Sequence, residues 1–473
     1  MAGSEDRSFE AMRLAARIAE EFRREIAVAE RTPTSSYAEV IEGLRAPLPE
    51  SGGDAVEIIE DLNRLAREGL RSPSAPRFFG WVMGGSHLTG VAADFLTSAW
   101  GQNTGNVQVS PSGSAFEAVV VDWILELLDL PRSASVGVVT GATVANFVGL
   151  AAARSAQLAK RSWDVEADGL YGAPPLRVLI GADAHTTVYG ALKFLGLGAK
   201  RVREIATDDL GRMLPSDFER ALGEDDAPAI AIGQCGQINT GASDPFAEIA
   251  PMAREAGAWL HVDSAFGLWS RSSPKLKHLA EGLDLADSWA VDGHKWLQTP
   301  YDCGFAIVRD VEAHRRAMSF SASYLPVADT SERNPSDYVP ELSRRARGFA
   351  AWAMIRQLGR DGIARMVESN VEVAQAMATS MAEIDGVELV CPVELNQFMV
   401  RIGQTDDIAE GDRLTLATVE QLQRDAVAFA GPAQWRGRWV IRFSVISAAT
   451  TPEDGDMTVE ALRKAWETVR NAN

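Results

Sequence analysis

SWAVDGHKW, residues Ser288 to Trp296, is a short β-rich run that ends in a lysine held between a histidine and a tryptophan. The sequence on both sides is mostly apolar, which is a costly setting for a cation, and Asp292 three residues upstream is placed to pair with Lys295. A lysine at a strand end often snorkels to water. The other reading is a Schiff-base lysine, because desolvation lowers the pKa of an amine and leaves it nucleophilic. The choice between them rests on what the neighbouring strands bring.

Similar runs recur upstream and downstream: RVLIGAD (177–183), AIAIG (229–233), WLHVDSA (259–265) and CGFAIVRD (303–310). Helical patterns such as SDFERALG (216–223) and FAEIAPMAREAG (246–257) separate them. This alternation predicts an α/β fold with a mainly parallel sheet covered by helices, whose functional groups gather at the carboxyl ends of strands. Asp263 stands at such an end, where an aspartate is commonly a turn former or helix cap, but where a carboxylate could also keep a pyridine nitrogen protonated. His185 follows another strand as a candidate cap or as an imidazole able to stack on a flat ring. In VVTGATVANFVGLAAAR (138–154), Gly141, Ala142 and Thr143 open a helix whose N-terminal amides suit a phosphate. Neither a P-loop nor a GxGxxG fingerprint is present there.

The rest of the chain limits the options. The net charge of −19 argues against nucleic-acid and anionic-membrane partners. The most apolar run, AVVVDWILELLDL (118–130), carries Asp122, Glu126 and Asp129 and is too short and too charged to span a bilayer. Cys235, Cys303 and Cys391 lie far apart with no metal-binding spacing, which predicts a reduced, cytoplasmic location and no metal. Residues 1–75 read as amphipathic helices with little core of their own, which suits packing on a partner subunit. The span 76–343 reads as a large domain ending in a long polar loop (320–343), and 344–473 as a small C-terminal α+β domain.

Taken in order, the phosphate turn, His185, HVDSAFG and DGHKW resemble the pyridoxal-phosphate-dependent group II amino-acid decarboxylases, which include aromatic-amino-acid, glutamate and diaminobutyrate decarboxylases. The resemblance extends to APRFFGWVMGG, ADFLTSAWGQN and SPSGSAFE upstream, and to ELSRRARG and VIRFSV downstream. It implies the fold type I architecture of pyridoxal-phosphate enzymes, with a seven-stranded, mainly parallel large-domain sheet. It also implies pyridoxal 5'-phosphate as cofactor, a homodimer, and decarboxylation of an L-amino acid to the amine and carbon dioxide.

By the same resemblance, Lys295 forms the Schiff base with the cofactor aldehyde, Asp263 pairs with the pyridine nitrogen and His185 stacks on the ring. Ala142, Thr143 and His294 match phosphate contacts, and Tyr338 matches the loop tyrosine that returns a proton to the α-carbon, with Tyr324 as a second candidate. Gln237 and Ile238 stand where relatives often have a threonine pair. Trp81 and Asn103 are the expected substrate contacts, and the flat surfaces of Trp81 and Phe79 favour an aromatic or otherwise bulky amino acid. Aldehyde synthesis, another lyase reaction or an aminotransferase-like reaction on the same scaffold is the alternative.

Overall fold

The structure, a computed structural model, describes residues 2–30, 32–319 and 332–472. Seven strands build the larger sheet: β1 (Ser135–Val139), β2 (Arg177–Gly181), β3 (Arg203–Ile205), β4 (Ala229–Gln234), β5 (Trp259–Asp263), β6 (Ser288–Asp292) and β7 (Gly304–Val308). Their order is β1-β7-β6-β5-β4-β2-β3. Neighbours from β6 to β3 run parallel, whereas β7 is antiparallel to both β6 and β1. The central strands are buried throughout because helices cover both faces, which is why they read as continuous apolar runs without alternation. The seven-stranded, mainly parallel expectation holds.

The helix Ala142–Ala159 packs across this sheet, and its small residues set how close it comes. A Cβ on Gly149 would lie 2.6 Å from the His261 ring. That ring is fully buried on β5, with Nδ1 2.8 Å from Ser288 Oγ on β6 and Nε2 2.8 Å from Asn146 Oδ1 on the helix. Trp259 Nε1 donates to the same Ser288 hydroxyl, so every ring nitrogen in this buried group has a partner and the register between helix and strands is specified.

The second sheet is antiparallel, in the order β10-β11-β9-β8, from β8 (Val387–Leu389), β9 (Gln397–Ile402), β10 (Gly431–Trp435) and β11 (Arg438–Ser444). The sequence shows three of these strands. β10, GPAQW, escapes pattern reading because it opens with glycine and proline, and it tolerates Pro432 because it is an edge strand. The N-terminal region holds three helices, Ala2–Ile26, Tyr37–Leu44 and Ala55–Arg67, where the periodicity shows two. The short middle helix is fixed by a capping box, with Ser36 accepting from the Glu39 amide while Glu39 accepts from that of Ser36.

Candidate functional site

The carboxyl ends of β4, β5 and β6 deliver Gln234, Asp263 and Asp292 to one edge of the sheet, where a cavity of about 340 Å³ opens. β6 turns back into antiparallel β7 through residues 293–303, and the Gly293 and His294 amides both donate to the Cys303 carbonyl, at 3.0 and 3.2 Å. Lys295 projects from this closed loop into the cavity with its side chain mostly buried. Its Nζ lies 2.9 Å from Asp292 Oδ2, the pairing expected from the sequence, and 5.5 Å from the centre of the Phe266 ring.

His185 lines the same cavity. It caps the helix Thr186–Phe194, its Nδ1 lying 2.7 Å from Thr187 Oγ1. Burial holds the imidazole below its usual pKa against the pull of Asp263, with Lys295 and Arg442 adding to the depression. Burial pushes the Asp263 carboxyl up, against His185 and Lys295. A cation seated beside it would favour the charged form that burial penalises.

Ala142 and Thr143 line the cavity at the start of the helix Ala142–Ala159, whose cap residue, Gly141, supplies no side-chain hydrogen bond. A Cβ on Gly304 would fall 2.5 Å from the Gly141 Cα, so the two backbones meet because residue 304 is glycine, while a Cβ on Gly141 would crowd Asp292 Oδ1 and the His294 ring at 3.0 Å. His294 lies beside them with its side chain mostly covered. Its Nε2 lies 3.4 Å from Asp292 Oδ1, its Nδ1 has no hydrogen-bond partner, and the Tyr301 ring lies tilted against it at 4.4 Å. Burial lowers the His294 pKa and raises that of Tyr301 to about 12.

A strap formed by residues 81–85 roofs the site. Trp81 and Val82 hold φ of 54° and 56°, and Gly84 (φ 81°) rides so low that a Cβ would meet the His294 carbonyl oxygen at 2.1 Å. Trp81 lines the cavity mouth half-exposed, its ring 5.0 Å from that of Phe429. Tyr301 ties the strap down by donating its hydroxyl to the Met83 carbonyl.

Seven of the expected site residues therefore line one cavity: Lys295, His185, Asp263, Ala142, Thr143, His294 and Trp81. Two do not. Tyr338 stands edge-on to His314 beneath β1, its carbonyl accepting from His314 Nε2 at 3.0 Å and its ring covered by Arg333. Asn103 accepts from the Arg344 amide at 2.9 Å, away from the cavity. Tyr324 lies outside the described residues. At the turn after β4, Ile238 faces the cavity while Gln237 turns back to accept from the Asn239 and Thr240 amides.

Sequence reading passed over Arg442. It is buried on β11, bonded to Asn239 Oδ1 at 3.2 Å with no carboxylate partner among the described residues, and burial lowers its pKa to about 10. Its charge reaches His185. The only available signal was an arginine at an inward position of an apolar strand.

These groups fit pyridoxal phosphate. The unpartnered His294 Nδ1 and the uncapped helix start suit a phosphate, the buried Asp263 carboxylate suits a ring cation, and Lys295 supplies an amine. The family model described as the pyridoxal-dependent decarboxylase conserved domain matches residues 38–402. An aromatic-L-amino-acid decarboxylase of Bacillus atrophaeus is 27% identical over 87% of this chain and 85% of its own length. An L-2,4-diaminobutyrate decarboxylase of Rhizobium meliloti is 28% identical over 88% and 83%, and a 4-hydroxyphenylacetaldehyde synthase of Rhodiola rosea 28% over 85% and 83%. The crystal structure of Oryza sativa TDC with PLP and tryptamine superposes with a TM-score of 0.90 at 22% identity, covering 98% of both chains.

Proposed function

Because the chain belongs to the pyridoxal-dependent decarboxylase family, we propose that this cavity decarboxylates an aromatic or otherwise bulky L-amino acid, releasing the amine and carbon dioxide. The observation that carries the reading is the convergence of Lys295, His185 and Asp263, from three separate strand ends, on one cavity that Trp81 roofs. The enzyme is a pyridoxal-phosphate-dependent carboxy-lyase. When bound, pyridoxal phosphate supplies an aldehyde for the amino group and a conjugated ring that takes up the electrons left behind by departing carbon dioxide.

The protein's own groups do the rest. Lys295 offers the amine that anchors the aldehyde. Asp263 holds a proton on the ring nitrogen, His185 covers one face of the ring, and Ala142, Thr143 and His294 take the phosphate. Arg442, desolvated and without an acid partner among the described residues, binds the substrate carboxylate and sets which bond lies across the ring. Trp81 presents a flat apolar surface to the side chain. Tyr338 is the proposed proton source, acting after its segment leaves His314 or across a subunit interface, with Asn103 as an outer substrate contact from the same region.

A homodimer is part of this reading. Phe9, Met12, Ile58, Leu62, Phe95 and Trp100 expose apolar surface on the N-terminal helices and on the helix Leu88–Trp100, and a second copy would bury it. The three cysteines are buried and free, which supports a reducing, cytoplasmic compartment. Among the described residues no helix is long and apolar enough to cross a membrane.

Placing Tyr338 outside the cavity of its own chain also favours a second reading, oxidative conversion of the amino acid to an aldehyde. One experiment addresses both. The purified protein is incubated with each of the twenty amino acids under air while amine, carbon dioxide, aldehyde and peroxide are measured. Amine and carbon dioxide from an aromatic substrate, lost in Lys295→Ala, is the expected result. Aldehyde with ammonia and peroxide, and no amine, would overturn it in favour of the second reading. Tyr338→Phe should shift the product ratio towards aldehyde if Tyr338 returns the proton, and an unchanged ratio removes it from that role.

A further inference from the structure

We propose that Asp292 is a built-in occupant of the cofactor-anchoring site, so that loading requires its carboxylate to give up partners it already holds. The inference rests on the cofactor reading above. Asp292 ends β6 and is buried. Its Oδ1 accepts from the Ala142 amide at 2.6 Å, 150 positions away in sequence, and so takes the first open N–H of the helix Ala142–Ala159. The same oxygen is 3.4 Å from His294 Nε2, and Oδ2 is 2.9 Å from Lys295 Nζ. One carboxylate thus engages a helix-start amide, an imidazole and an amine, and these are the groups proposed to hold the phosphate and aldehyde.

Two physical consequences follow. Without a bound phosphate, the carboxylate neutralises a lysine that would otherwise stand buried and unpaired, and it satisfies an amide that no cap side chain reaches. Against an entering phosphate, a second anion on the same helix start is repulsive, and burial leaves that repulsion poorly screened. Asp263 and Tyr301 also face Asp292, and the carboxylate contributes to the upward pKa shift of each, so its charge is felt across the pocket. The arrangement exchanges cofactor affinity for a pocket that is electrostatically complete before loading.

Asp292→Asn tests this, because the amide oxygen keeps the bond to Ala142 while the charge is removed. Wild-type and variant protein are stripped of cofactor and titrated with pyridoxal phosphate, following tryptophan fluorescence and visible absorbance. The concentration of inorganic phosphate that raises the thermal midpoint is measured in parallel. The variant should bind both probes about tenfold more tightly or better, and its midpoint without phosphate should fall below that of the wild type. Unchanged or weaker binding of both probes would overturn the inference and make Asp292 a partner of the cofactor. If the asparagine variant does not fold, Asp292→Ser is read by the same two titrations. Failure of the wild type to bind pyridoxal phosphate at all would instead remove the cofactor reading, so the two failures are distinguishable.

Discussion

Arg436, at the turn between β10 and β11, closes on Asp183 with two parallel contacts, Nη2 to Oδ2 at 2.8 Å and Nη1 to Oδ1 at 3.3 Å. Asp183 precedes His185 by two residues, so a side chain of the smaller sheet grips the turn that presents the imidazole proposed to stack on the cofactor. Arg436 also donates to the Asp208 carbonyl, while Thr207 donates to Asp183. The pair is partly exposed, so Arg436→Ala should cost less than about 1 kcal/mol of global stability. It should nevertheless release pyridoxal phosphate several-fold faster on dilution. Normal cofactor retention alongside a large loss of stability would show that the contact serves only the fold.

Arg442 is the proposed anchor for the substrate carboxylate. Charge-assisted hydrogen bonds are worth about 1.5–3 kcal/mol, so Arg442→Ala should raise KM by roughly ten- to a hundredfold. Arg442→Lys should recover part of the loss, because charge is kept but the planar fork is not. Steady-state kinetics with the amino acid identified in the screen, set beside its methyl ester as an inhibitor, provides the check. An ester that loses as much affinity as the acid in Arg442→Ala would rule out carboxylate binding.

Glu117 and Arg344 are both fully buried and paired at 2.7 Å, and Arg333 reaches the other Glu117 oxygen at 3.2 Å. Glu117→Gln leaves Arg344 charged in the interior, and breaking a pair of this kind costs about 3–5 kcal/mol. Denaturant melts should show a loss of that size. A change below about 1 kcal/mol would mean that the Thr104 and Val138 carbonyls, which Arg344 also binds, suffice alone.

His314 is buried and neutral, its pKa lowered by burial to about 3, with Nε2 donating to the Tyr338 carbonyl and Nδ1 near Ser135 Oγ. The unfolded chain binds this proton near pH 6.5 and the folded chain only near 3, so the group's contribution is complete above pH 6.5 and is lost as pH falls through that window. Between pH 7.5 and 5 the wild type should therefore lose about 2 kcal/mol more than His314→Gln. Parallel urea titrations at the two pH values measure the difference, and equal losses would contradict a buried neutral ring.

What the sequence disclosed follows chain continuity. Asp263 ends a contiguous apolar strand, and Lys295 and His185 follow such strands by three and four residues, so their motifs announce both the sheet and the cavity at its edge. Arg442 reaches the same neighbourhood from a different sheet, and no local pattern links it to His185. Asp292 was legible as a partner for Lys295, but its bond to Ala142 spans 150 residues and needs the folded chain. Tyr338 and Asn103 were placed by resemblance alone. Their environments depend on His314 and Arg344, which composition and periodicity cannot associate with them.

The reversal of β7 bears on how the lysine works. Residues 293–303 form a closed turn between two paired antiparallel strands, fastened by the Cys303 carbonyl at its base and roofed by Gly84. The Gly84 backbone lies close over Lys295, where an added Cβ would fall 2.6 Å from the Lys295 Cα. If Lys295 anchors the cofactor aldehyde as proposed, its amine could move away from that position only by the swing of its own four methylenes. On the proposed reading, this one hairpin would thereby keep the lysine amine at hand for release of product.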